Sequence, residues 1–178
     1  MHVMKKLGIL LVIVIFFIGS CDKVDELLTF EINHSTEVTI ENNITPFDPP
    51  VSMPTPDITT NSEQSFENNN TSKDKVKDIK LKELDLSIQY PPDEDFSFLK
   101  EIYVYMSTDS TDEIQVASRT DIPEDAQSIS LETTDQDLDK YVKADKYNVR
   151  TEVVTREVIS SDMILDVDFT FVVTADPL

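Results

Sequence analysis

The sequence predicts an all-β chain, a two-sheet sandwich of about seven strands with one or two short helical turns. Three observations carry that expectation. From Met163 to Thr174 an apolar residue falls at every second position, through Leu165, Val167, Phe169, Phe171 and Val173, as in a strand with one face on a core and one in water. Leu28 to Glu41 alternates in the same way. Between Val76 and the end of the chain, short apolar runs are cut by Pro, Asn, Asp and Ser, and only brief stretches carry helical spacing.

Taken in order, LTFEINHSTEVTIE over 28–41 is the first strand, or two collinear ones. Residues 42–75 are rich in Asn, Pro, Ser and Thr and form a long polar connection. A structureless loop of that length is uncommon in a compact domain, so part of it should be ordered. The best segment is a helix near Glu63 to Asn68, capped by Asn61 or Ser62 and turning Phe66 inward. After Val76, Ile79 and Leu81 share one phase and Leu84, Leu86 and Ile88 the other, which predicts a bulge or bend at Lys82-Glu83. Pro91-Pro92 ends that strand, because proline cannot donate to a ladder. An apolar turn at Phe96, Phe98 and Leu99 leads to strands at Ile102–Met106 and Ile114–Ala117, separated by the turn Ser107 to Asp112. Another short strand follows over Ser128–Thr133, then one helical turn over Asp137–Val142 with Leu138 and Tyr141 on one side. Strands at Tyr147–Thr155 and Met163–Thr174 complete a single domain over 28–178, immunoglobulin-like in size.

Composition excludes several chemistries. The formal net charge is −20, and Lys5 and Lys6 lie in a leader without acids, so the rest is more anionic still. Such a surface repels nucleic acid, and no nucleic-acid partner is expected. Both glycines, Gly8 and Gly19, precede Cys21, so glycine-built phosphate loops have nothing to form from and turns must use Asn, Asp, Ser and Pro. His34 is the only histidine beyond His2, too few for a Cys/His zinc site, and no cofactor is expected. It shares the phase of Phe30, Ile32 and Val38, as a packing or hydrogen-bonding residue of the strand's inner face would.

Lys5 and Lys6, the apolar run Leu7 to Ile18 and the small residues before Cys21 have the build of an export signal, and the run is too short for a spanning helix. Phe17-Ile18-Gly19-Ser20-Cys21 resembles the lipobox of a bacterial lipoprotein. That resemblance implies a signal peptide over 1–20, lipidation of Cys21, a tether over 21–27 and a membrane partner reached through the N-terminal lipid. The expected location is the cell envelope, on the outer membrane. With FSFLKEIYVYM at 96–106 and FTFVVTADPL at 169–178, the chain resembles small β-rich envelope lipoproteins of Bacteroidota-like bacteria. No assigned chemistry comes with that resemblance.

Two constellations remain as candidate sites. Asp135, Asp137 and Asp139 repeat the D-x-D-x-D opening of a calcium loop, but Lys140 and Lys146 stand where that loop needs its turn glycine and its closing glutamate. The second acidic run, Asp93-Glu94-Asp95, reads as solvated charge. Tyr103 and Tyr105 are out of phase with Ile102, Val104 and Met106, which puts two rings side by side on an outer face, suited to a protein or glycan partner. Since 35 acidic residues bring some carboxylates together by chance, a hydrolytic pair is not recognisable in the sequence. The reading is a lipid-anchored, non-catalytic binding or scaffolding module, with a carboxylate-dependent hydrolase or a calcium-dependent adhesin as alternatives.

Overall fold

The computed structural model describes residues 28–42, 50–54, 57–159 and 161–178. The expected signal peptide, Cys21 and the tether lie outside the described residues.

Two antiparallel sheets pack face to face. The strands are β1 (Thr29–Ile40), β2 (Val51–Pro54), β3 (Ile58–Thr59), β4 (Val76–Tyr90), β5 (Leu99–Ser107), β6 (Ile114–Arg119), β7 (Ser128–Ser130), β8 (Glu132–Thr133), β9 (Lys146–Thr155) and β10 (Met163–Ala175). One sheet runs β1-β10-β4-β7, the other β2-β9-β5-β6-β8 with β3 also on β9. The sandwich thus has the expected architecture with ten described strands rather than about seven. The surplus is β2, β3 and β8, pieces of four, two and two residues whose length gives periodicity nothing to register. Among the described residues there are two α-helices, α1 (Ser62–Asn68) and α2 (Asp139–Val142).

β10 is central to the first sheet, paired along its length with β1 on one side and β4 on the other. Its alternation becomes a buried row from Met163 through Phe169 and Phe171 to Ala175. Burying side chains of this size contributes about 1.5–3 kcal/mol each. β4 follows β10 only by slipping. Thr170 faces Glu83 while Phe171 faces Leu81, which leaves Lys82 as the extra residue of a bulge at the position the change of phase predicted. Leu81 and Leu84 both reach the core as a result.

The long connection contains the expected helix, with Phe66 on α1 fully buried. Its cap differs. Asn61 takes a left-handed backbone (φ 47°) and its side chain caps nothing; it is Thr60 Oγ1 that stands 3.4 Å from the Ser62 amide. Asn70 (φ 56°) is the other described residue at positive φ, so asparagine fills the left-handed positions of a chain without glycine there. The turn at Ser107–Asp112 is built on Asp112 Oδ1, which accepts from the amides of Thr108 and Asp109.

Ser128–Thr133 is a correction. It is two strands, and the chain changes sheets at Leu131: β7 extends the first sheet beside β4, while β8 pairs with β6 in the second.

Candidate functional site

The outer face of the larger sheet carries the two tyrosines. β5 is a central strand, and strict alternation drives Ile102, Val104 and Met106 into the core and leaves Tyr103 and Tyr105 half-buried on the opposite face. Antiparallel register sets Tyr103 opposite Glu152 and Tyr105 opposite Arg150 on β9, with Ser118 and Gln115 on β6 at their other sides.

The rings are held in place by charge-assisted contacts. The Arg150 guanidinium lies 4.2 Å from the Tyr105 ring centroid, close enough for cation–π attraction. It is fixed there by a fork of hydrogen bonds to Glu113, from Nε at 2.7 Å and Nη2 at 2.6 Å, and by one from Nη1 to Glu152 at 2.5 Å. The Tyr103 hydroxyl donates to Glu101 at 2.8 Å and the Tyr105 hydroxyl to Glu152 at 3.3 Å. The hydrogen bond to Glu101 raises the Tyr103 pKa, and desolvation raises that of Tyr105, so both phenols stay protonated donors at neutral pH. Arg150 in turn lowers the pKa of Glu113. The result is a fixed aromatic platform with one cation and three carboxylates around it, able to stack a ring and accept hydrogen bonds from hydroxyl or amine donors.

The sequence placed the tyrosines and missed Arg150, Glu113 and Glu152. The polar alternation of Asn148, Arg150 and Glu152 along β9 was the available signal, but which strand lies beside β5 is not written in either strand.

The acidic triad is divided. Asp137 and Asp139 come together with Asp78 of β4, with one carboxylate oxygen from each lying within 4.8 Å of the others. Asp135 stands apart with its side chain 96% exposed, 3.5 Å from Lys80. The cations beside the cluster are also not the expected ones. Lys140 pairs with Asp112 at 2.5 Å and Lys146 pairs with Asp57, whereas Lys143 contacts Asp139 at 2.6 Å and Lys80 contacts Asp78 at 3.7 Å. Asp137 Oδ1 accepts from the Asp139 amide at 2.9 Å and so serves the local turn. Asp95 has a similar structural task, accepting from the Ser97 amide at 3.0 Å at the start of a 3-10 turn.

His34 is a core residue, 9% exposed, with Nδ1 hydrogen-bonded to the Tyr147 hydroxyl at 3.0 Å. Among the described residues, Asp95, Asp109, Asp112 and Glu113 have displaced pKa values, and all four move down, through hydrogen bonds to their carboxylates.

No protein-family model matches the chain, and no curated protein matches it. Among solved structures, a chain from Desmodium yellow mottle tymovirus is similar over 84% of this chain and 90% of its own, at 10% identity and a TM-score of 0.28, a likeness too loose to carry any inference.

Proposed function

We propose that this protein is a lipid-anchored, non-catalytic module of a bacterial cell envelope that binds a partner on the outer face of its larger sheet. The platform of Tyr103, Tyr105 and Arg150 carries this reading, because rings held half-exposed by ordered ion pairs present apolar area with little entropy left to lose on binding. The ring of acceptors favours a ligand with many donors, such as a neutral glycan, or a donor-rich protein segment. The sequence Phe17 to Cys21 supplies the anchor. Two acyl chains hold a protein at a membrane stably where one does not.

The test is a screen of neutral glycans and cross-linked envelope extracts with the full chain, repeated with Tyr103→Ala plus Tyr105→Ala. Binding reduced about tenfold or more in a variant that still unfolds cooperatively is the expected outcome. Turnover of a glycan, peptide or ester abolished by one Asp or Glu substitution would make the protein a hydrolase instead. For the anchor, Cys21→Ser should move the protein from the membrane pellet to the soluble fraction, and a mutant that stays in the pellet defeats lipidation as the means of attachment.

A further inference from the structure

The strands at the ends of the two sheets are unequal. β7, β8 and β3 have three, two and two residues, and β2 has four and ends in Pro54, so each offers little unpaired backbone. β1 ends the four-stranded sheet with twelve residues, and it pairs with β10 from Thr29 to Ile40 without a break in register. Its sequence TFEINHSTEVTI contains none of the proline, lysine or bulge that commonly blunt an edge. Every second residue turns its N–H and C=O away from β10, and among the described residues no strand takes them up.

Two further features define the segment that fits there. On the outer face Glu37 lies directly opposite Asp166, and Asp168 directly opposite Asp85. Like charges so placed destabilise a sheet, and among the described residues no lysine or arginine forms an ion pair with any of the four, Asp168 instead accepting from the Ser35 hydroxyl at 2.5 Å. On the inner face the edge is incompletely covered: Thr36 and Val38 are only half-buried, and beside them an apolar seam of about 30 Å³ runs between the sheets toward Met53.

We propose that the β1 edge binds an extended segment of a partner protein, with basic and apolar residues alternating, as a fifth strand of this sheet. The segment's backbone completes the ladder. Its basic side chains lie along Glu37 and reach toward Asp166 and Asp168, and its apolar side chains cover Val38 and close the seam. A second copy of this chain is the poorer occupant, since pairing two β1 strands brings Glu31 and Glu37 of two strongly anionic molecules together. This edge belongs to the sheet that lacks the tyrosine platform, so it stands or falls independently of the proposed function.

The probe is a short peptide alternating lysine and valine, added to the full chain in detergent and followed by hydrogen exchange. Protection of amides within 29–40, weakened by salt and lost when glutamate replaces lysine in the peptide, is the expected result. Glu37→Lys and Asp166→Lys should each weaken binding about tenfold without lowering the melting temperature, since each also removes a like-charge pair. A peptide N-methylated at every residue keeps its charge but has no backbone donor left to complete a ladder. If it binds as well as the parent, or if protection falls outside β1, strand addition is wrong. Self-association of the peptide-free protein through the same amides would replace the basic partner with a second copy.

Discussion

Tyr147 and Tyr105 lie on adjacent strands of the same sheet and do different work. Tyr147 faces the other sheet, fully buried, edge-on to Phe169 and Phe171 at 6.4 Å and bonded to His34. Tyr105 faces outward beneath Arg150, with its hydroxyl on Glu152. Both rings are satisfied, so saturation of hydrogen bonds does not separate a structural tyrosine from a ligand-facing one. What separates them is the remaining contact surface: Tyr147 has none to offer, and Tyr103 and Tyr105 are only half-buried.

That contrast can be broken most severely in the core. Phe171→Ala should cost about 3–5 kcal/mol, because the cavity lies where His34, Tyr147 and Phe169 meet and no side chain is free to fill it. Tyr105→Ala should stay within about 1 kcal/mol, since it removes partly solvated contacts. Chemical denaturation measures both, and equal losses would mean that the two faces are not distinct.

Next in size is Tyr147→Phe, which deletes one oxygen and leaves the buried His34 Nδ1 unpaired, for about 1–3 kcal/mol. The matching Tyr105→Phe on the wet face should change stability by less than about 0.5 kcal/mol. A Tyr147→Phe protein as stable as the parent would show that the His34 hydrogen bond is immaterial to the core.

The same pair sharpens the comparison through pH. Burial disfavours the imidazolium of His34, with the Thr60 backbone offsetting part of the effect, so its pKa in the fold lies below the ordinary 6.5. The unfolded chain therefore binds a proton that the fold resists. Stability from this residue is fully present above about pH 6.5 and falls as pH drops through that value toward the lower folded pKa. A melting temperature that declines between about pH 7 and pH 5, with a shallower slope in His34→Phe, is the expected pattern. An identical slope in that variant would remove His34 from the account.

The smallest expected signal belongs to the acidic cluster. With Lys143 on Asp139 and Lys80 near Asp78, calcium should bind no tighter than about the millimolar range. Calorimetry beside Asp137→Asn measures it. Micromolar binding lost in that variant would make calcium-dependent adhesion the better reading.

Much of the sandwich was legible because alternation is a local property. The buried row of β10, the inward face of β1 with His34, the Lys82 bulge, Phe66 on a short helix and the outward tyrosines all follow from which residues lie two positions apart. Strands of two to four residues were not legible, because so few positions cannot establish a period, and the chain's change of sheet at Leu131 left no mark on its pattern.

Sequence alone thus determined the strand faces, the poverty of catalytic side chains and the anionic surface. Tertiary structure decided every partnership: His34 with Tyr147 across 113 residues, Arg150 with Glu113, Asp78 with Asp137 and Asp139, and β1 rather than β7 as the long edge. The physical reason is that a side chain's direction is fixed by its own backbone, whereas its neighbour is fixed by sheet order and register, which depend on packing of the whole chain.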